Sequence, residues 1–211
     1  MGARRDPRSR SAHIAPIPAT RPTAILDGWM DETHQFHADP DTYQERIRAA
    51  LPGYDELQNQ AVEAIPFEPR RVLELGIGNG ETTRRLLARF PDARVTGVDA
   101  NPEMVSRARE LGVETQVARI EDPMPAGPWD LVIGVLSVHH LTGKQKRALF
   151  LAVRNESRAF VLGDQMSAEE HALPPEPGID FLEDVSDLAS WCDGEIVWRR
   201  GDLAVIRAVY G

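Results

Sequence analysis

Val72-Leu73-Glu74-Leu75-Gly76-Ile77-Gly78-Asn79-Gly80-Glu81-Thr82 runs an apolar strand into three alternate glycines and then into the start of a helix. Glycine serves where a chain turns sharply with positive φ, or where a ligand must approach the backbone without a Cβ in its way. The helix that begins near Glu81 points its first amides at the same crevice. Asp99 follows twenty-three residues after Gly76, at the end of the next apolar run. A carboxylate at that distance accepts both hydroxyl hydrogens of a ribose, so the pair predicts a nucleoside-containing ligand across the carboxyl edge of a sheet. The dinucleotide fingerprint needs a glycine two residues beyond its second one's neighbour, as G-x-G-x-x-G. Here the spacing is Gly76-x-Gly78-x-Gly80, with Glu74 before the turn and Glu81-Thr82 after it. Acids in those places repel a diphosphate and suit a ligand that carries ammonium and sulfonium charges.

Outward from this turn, short runs rich in β-branched residues alternate with amphipathic stretches. Strands are expected at Arg71–Leu75, Arg94–Asp99, Val113–Ala118, Trp129–Val135 and Arg158–Leu162. Helices are expected at Glu81–Phe90, Pro102–Leu111 and Lys144–Val153. Such alternation means an α/β fold whose parallel sheet is covered on both faces and joined by right-handed crossovers. Glu195–Arg199 and Leu203–Tyr210 alternate as strands around the turn Arg200-Gly201-Asp202, which adds a C-terminal antiparallel pair. Upstream, Tyr43, Ile47, Ala50 and Leu51 recur at helical spacing up to Pro52-Gly53, and Asp55 is placed to cap a second helix with Leu57, Ala61, Val62 and Ile65. The organisation expected is a disordered basic tail over 1–24, a helical lid over 25–66 and a ligand-binding core over 67–211.

The glycine turn with its flanking acids resembles motif I of the class I S-adenosylmethionine-dependent methyltransferases. The resemblance extends over most of the chain from about Trp29. "ARVTGVDANPEMVSRARE" looks like the family's second motif, "VARIEDPMP" occupies the end of the third strand, and "WDLVIGVLSVHHL" is similar to the fourth-strand motif. The stretch "HADPDTYQERIRAALPGYDEL" looks like the N-terminal lid of the bacterial small-molecule group, the trans-aconitate-methyltransferase-like enzymes. The resemblance implies a Rossmann-like seven-stranded sheet and S-adenosyl-L-methionine as cofactor, with S-adenosyl-L-homocysteine as product. It implies a cofactor set of Glu74, Gly76, Ile77, Gly78, Asp99, Ala100, Met104, Ile120, Glu121 and Val135. Within that set Asp99 takes the ribose, Ala100 and Met104 the adenine face, Ile120 with Glu121 or Asp122 the adenine edge, and Val135 with Gly134 and Leu136 the methionine portion. The family's Pro-Gly-Gly turn before the fifth strand is absent, replaced by Arg154-Asn155-Glu156-Ser157-Arg158, and the segment between Gln165 and Asp184 is short.

Methyl transfer is an in-line displacement at a sulfonium, so the protein supplies alignment, desolvation and, for a hydroxyl or ammonium acceptor, a base. His139 and His140 follow the fourth strand where such a base belongs, and histidine has the suitable ordinary pKa. His139 is preferred, because His140 begins the descent into the next helix. Tyr43 is a third catalytic candidate, as an aromatic of the lid able to close over the methyl group; Trp29, His34, His37, Arg46, Arg48 and Tyr54 are its neighbours in sequence. Each of these has a structural alternative: aromatics at helical spacing are core residues, and Arg46 and Arg48 can form a solvated face with Glu45. No metal is expected, since His34-x-x-His37 lacks helical i, i+4 spacing and a fixed third ligand. The acidic run Asp180, Glu183, Asp184 and Asp187 reads as a solvated helix start, and Cys192 as a buried, inert thiol at that helix's end.

Composition narrows the function classes. Acids outnumber bases 33 to 24, for a net charge of −9, which argues against a protein held on nucleic acid by a broad basic face. The five arginines of residues 1–24 oppose one acid, but no apolar stretch follows Arg4-Arg5, so a twin-arginine export signal is not expected; an Arg/Ser-rich transit peptide stays open. One cysteine excludes an intramolecular disulfide framework, and no apolar run has the ~18 residues of a membrane span. The expectation is a cytoplasmic protein that acts on a small-molecule substrate, without membrane attachment, with its oligomeric state open. Two readings are carried forward: a methyl-transferring enzyme, and a protein that binds S-adenosylmethionine or its product without transferring the methyl group.

Overall fold

The computed structural model describes residues 39–169, 171, 175–176 and 178–211. The expected tail over 1–24, and Trp29, His34 and His37 of the expected lid, lie outside the described residues. Two helices, α1 (Pro40–Ala50) and α2 (Tyr54–Glu63), lead into β1 (Arg71–Leu75), α3 (Glu81–Arg89), β2 (Arg94–Asp99), α4 (Pro102–Arg109) and β3 (Glu114–Val117). The second half is β4 (Leu131–Val135), α5 (Gly143–Glu156), β5 (Ala159–Gln165), α6 (Val185–Trp191), β6 (Glu195–Arg200) and β7 (Leu203–Val209). The strands form one sheet in the order β3-β2-β1-β4-β5-β7-β6. β1 to β5 are parallel, and β7 runs antiparallel between β5 and β6. This is the seven-stranded arrangement expected.

The central strands are buried along their whole length, as parallel strands covered on both faces must be. Alternate side chains serve opposite layers. Leu73 and Leu75 face Val132, Phe150, Phe160 and Leu162, while Val72 joins Leu131, Ile133, Val161 and the inner face of α2 at Leu57 and Ala61. Each such side chain contributes roughly 1.5–3 kcal/mol by leaving water. α2 therefore covers the sheet directly, across β5 and β7. Among the described residues no helix is long and apolar enough to cross a membrane.

Caps explain most boundaries. Asp39 accepts from the Asp41 amide ahead of Pro40, Asn101 accepts from Glu103 and Met104 ahead of α4, and Thr142 with Gln145 forms a capping box on α5. The expected Asp55 cap is corrected: α2 starts two residues earlier from Gly53, at φ +103, and Asp55 turns its carboxylate to Arg48 and Arg85. β4 starts at Leu131 because Trp129 makes only a lone bridge to Ser157. β5 runs three residues further than expected, through Gly163-Asp164-Gln165, all paired to β7.

Candidate functional site

β1 has β2 on one side and β4 on the other, so the chain's crossovers diverge there and open a crevice at the carboxyl ends. The glycine turn fills the near wall. Gly76, at φ +70, lies so close to Ser137 that a Cβ would stand 2.5 Å from the serine's own Cβ. Gly78, at φ +53, has nothing within 4 Å of where its Cβ would be, so its outer face is open to a ligand. The first glycine is required by packing, the second by access. The Gly76 and Ile77 amides both donate to Val98 O, which ties the turn to the end of β2.

Asp99 ends β2 and meets this turn. Its Oδ2 accepts from the Gly78 amide at 2.8 Å and its Oδ1 from the Asn101 amide at 2.9 Å, which fixes the carboxylate at the turn. Burial pushes its carboxyl above the ordinary carboxylate range, against the pull of the Asn101, Gly78 and Ala100 amides. Ala100 follows at the crevice, whereas Met104 is buried in α4. Ile77 points away and packs beneath Gly97, so its backbone is the part the turn presents. Val135 is buried at the end of β4, and Leu136 after it holds φ +53, a strained conformation for a bulky residue that forces the chain over the crevice. Ser137, next in line, is buried beside Gly76 with its hydroxyl unpartnered by any described residue.

The acids of the motif divide in role. Glu74 is buried beneath the turn, accepts a hydrogen bond from Thr83, and is pushed up to about 8 by burial, with the charge of Asp99 acting in the same direction. Glu81 does not make the crevice acidic as the sequence suggested: Arg48, Arg84 and Arg85 surround its carboxylate at 3.2, 2.5 and 2.7 Å. Arg48 is accordingly more than a solvated residue, since it joins α1 to α2 and α3. Asn79 of the turn donates to Gln44 of α1, so the helix lies latched across the glycines. Tyr43, on the same helix, is partly buried, and its phenol is raised by burial, by Tyr54 and by the charges of both Asp99 and Asp164. Of the residues expected at an adenine edge, Ile120 packs against the core, but Glu121 is paired with Arg119 at 2.6 Å and Asp122 accepts the Arg119 amide.

The far wall is built around His139 and His140, in a one-turn 3₁₀ helix (Val138–His140) after β4. Asp164, in the unforeseen extension of β5, lies under this turn. Its Oδ2 accepts the Val138 and His139 amides and its Oδ1 lies 2.5 Å from His139 Nδ1. His139 Nε2 then faces Asp180 at 3.8 Å, and the same Asp180 oxygen lies 3.0 Å from His140 Nδ1. Burial opposes charge on His139, but Asp164 and then Asp180 prevail and raise its pKa. His140 moves the other way, lowered by burial and by His139. Asp164 and Asp180 are both held below the usual carboxylate range, against burial, with the histidines and backbone amides as the cause.

Asp180 and Glu183 correct the expectation of a solvated acidic run; Asp184 alone caps α6 as expected. Asp180 is fixed by the Glu176 amide on Oδ2, and Phe181 N donates to His139 O. Lys146 of α5, fully buried, donates to Phe181 O and to Glu183. The short segment before α6 is thus pinned against the histidine turn and forms its outer wall. Cys192 is buried, and burial pushes its thiol up to about 11, which leaves it unreactive as expected.

Comparisons with known proteins agree with this geometry. Residues 72–156 match the family described as a methyltransferase domain. Trans-aconitate 2-methyltransferase of Streptomyces avermitilis is 30% identical over 128 residues, covering 57% of this chain and 44% of that protein. The Mycolicibacterium gilvum protein of the same name is 42% identical over 72 residues, covering 34% and 28%. The chain thus spans less than half the length of these curated relatives. A solved DhpI–SAM–HEP complex superposes with a TM-score of 0.64 at 20% identity, covering 90% of this chain and all of that one.

Proposed function

From the premise that the chain carries a class I S-adenosylmethionine-dependent methyltransferase domain, we propose that it transfers a methyl group from S-adenosylmethionine to a small-molecule acceptor. The observation that carries the reading is the Asp99–Gly78 contact at the point where the sheet's crossovers diverge. The residues fit the cofactor. The open face of Gly78 leaves room against the backbone, the spare lone pairs of Asp99 suit ribose hydroxyls, and the Ser137 hydroxyl lacks a partner that a polar ligand can supply. The Asp99 carboxylate, held at the turn by the Gly78 and Asn101 amides, favours a cationic ligand. When bound, S-adenosylmethionine supplies a methyl group on sulfur whose leaving group is a neutral thioether.

The protein's own work is then alignment and removal of a proton. Tyr43 of α1, whose phenol feels the charges of both Asp99 and Asp164, is the side chain we assign to shield the crevice from water. The acceptor's reacting atom meets the far wall, where its proton is drawn off at the cluster built on His139; Asp164 acts as a positioning residue that fixes the ring. A small molecule fits better than nucleic acid, because a net charge of −9 repels a phosphate backbone. The setting we assign is the cytoplasm.

Methyl-labelled S-adenosylmethionine incubated with fractionated small metabolites tests the reading, with trans-aconitate as the first pure acceptor on the strength of the named relatives. Label should appear in a small product, and His139→Ala should remove it while cofactor binding persists. Tight cofactor binding with no labelled product from any fraction would instead support a protein that binds S-adenosylmethionine without methyl transfer.

A further inference from the structure

We infer that His139, His140 and Asp180 form a binding site for a first-row divalent transition-metal ion, backed by Asp164. The three ligand atoms, His139 Nε2, His140 Nδ1 and a carboxylate oxygen of Asp180, lie within 4.8 Å of one another. An ion bonded at about 2.0–2.2 Å to imidazole nitrogen and carboxylate oxygen holds its ligands roughly 3.3 Å apart. The separations of 3.0 and 3.8 Å from Asp180 to the two histidines bracket that value. Two histidines and one carboxylate leave coordination positions of such an ion open.

Three features separate this cluster from a chance meeting of polar groups. First, Asp164 engages His139 Nδ1 at 2.5 Å, and this directs Nε2 to the cluster. A carboxylate behind a ligating histidine is the usual support of such a site, because it fixes the tautomer and raises the ring's basicity. Second, the Glu176 amide occupies Asp180 Oδ2, so the other oxygen is presented to the histidines before any ion arrives. Third, Asp164 and Asp180 place two negative charges beside two imidazoles, while the nearby Lys146 charge is matched by Glu183. A dication balances the pair. Imidazole donors select a transition ion over magnesium or calcium.

The expectation of no metal weighed ligands close together in the chain, and Asp180 lies forty residues beyond His140. This inference stands apart from the methyl-transfer reading, since ion binding needs no cofactor. Where that reading also holds, His139 with the ion bound no longer takes the proton itself; the ion would instead favour proton loss from an acceptor that offers it an oxygen or nitrogen lone pair.

The test uses the full chain, stripped with a chelator and titrated with Zn²⁺ by calorimetry and with Co²⁺ by visible absorption. One Zn²⁺ per chain should bind at about micromolar affinity or tighter, and Co²⁺ should develop d–d bands. Asp180→Asn and His140→Ala should each weaken binding at least tenfold, and Asp164→Asn by roughly tenfold through loss of support. Circular dichroism melts confirm that each variant compared is folded. Absence of Zn²⁺ binding, or binding by both folded ligand variants at the strength of the parent, would overturn the site. Calorimetry with S-adenosylmethionine on the same samples keeps the two ideas apart: cofactor binding without zinc removes only the metal, and zinc binding without cofactor removes only the methyl-transfer reading.

Discussion

The two walls of the crevice are made differently. The near wall is backbone: three glycines, the amides they expose, and one carboxylate, Asp99, that touches them. The far wall is side chain: two histidines of the 3₁₀ turn after β4, with two aspartates and a buried lysine drawn from β5, α5 and the segment before α6. A ligand that is the same in every turnover can be gripped by fixed backbone geometry. An acceptor whose proton must move calls for titratable groups in contact with one another, and among the described residues the far wall sets two histidines against two aspartates. The division predicts that substitutions will separate cofactor affinity from turnover.

The largest effects should come from crossing the two walls. Asp99→Ala removes a charged acceptor of two hydroxyls and should weaken S-adenosylmethionine about a hundredfold in calorimetry. His139→Ala should leave that affinity within about twofold while turnover falls roughly 10²–10⁴-fold. If both variants lose both properties equally, the two walls are not separate.

Within the near wall the glycines should split as well. Gly76→Ala drives a Cβ into Ser137 at positive φ and should cost about 2–4 kcal/mol of stability, read by denaturant unfolding. Gly78→Ala meets open space, so its cost is only the φ strain of about 1 kcal/mol, and its main effect should be on ligand affinity. Equal melting temperatures for the two would break the distinction between packing and access.

In the far wall, Lys146→Met leaves Glu183 without its cation and frees the segment that carries Asp180. We expect a loss of about 2–3 kcal/mol, less than for a fully buried pair because Glu183 is partly exposed. Turnover should fall and S-adenosylmethionine affinity should not. Restoring stability with the double variant Lys146→Met/Glu183→Leu, but not turnover, would sharpen the positioning role.

The effect that shows only as pH changes concerns Glu74, of the near wall. Burial raises its native pKa from the ordinary 4.5 to about 8. The native state therefore keeps its full stability from this group below pH 4.5 and loses it as pH rises through 8, by an amount on the order of 5 kcal/mol at most. Glu74→Gln should flatten that decline in unfolding measurements between pH 5 and 9. An unchanged slope would mean that another group carries it.

The same contrast explains what could be read from the chain itself. Gly76, Gly78 and Asp99 are legible because strand length and turn geometry fix their spacing. The strand–helix alternation was equally plain, since each buried strand is a short apolar run. Asp164 was missed because Gly163-Asp164-Gln165 looks like a loop after an apolar strand, although an acid at a strand's carboxyl end is the very signal that marked Asp99. Asp180 gave no local signal, and only the fold of the segment before α6 brings it to His140. Glu81 misled because its charge is cancelled by Arg84 and Arg85 of its own helix, α3, and by Arg48 of α1, far outside the motif.

The most direct test of the account is calorimetric titration of the full chain with S-adenosylmethionine and, separately, with NAD. The account predicts one S-adenosylmethionine bound per chain, weakened about a hundredfold in Asp99→Ala, and no heat from NAD; binding of NAD with none of S-adenosylmethionine would contradict it.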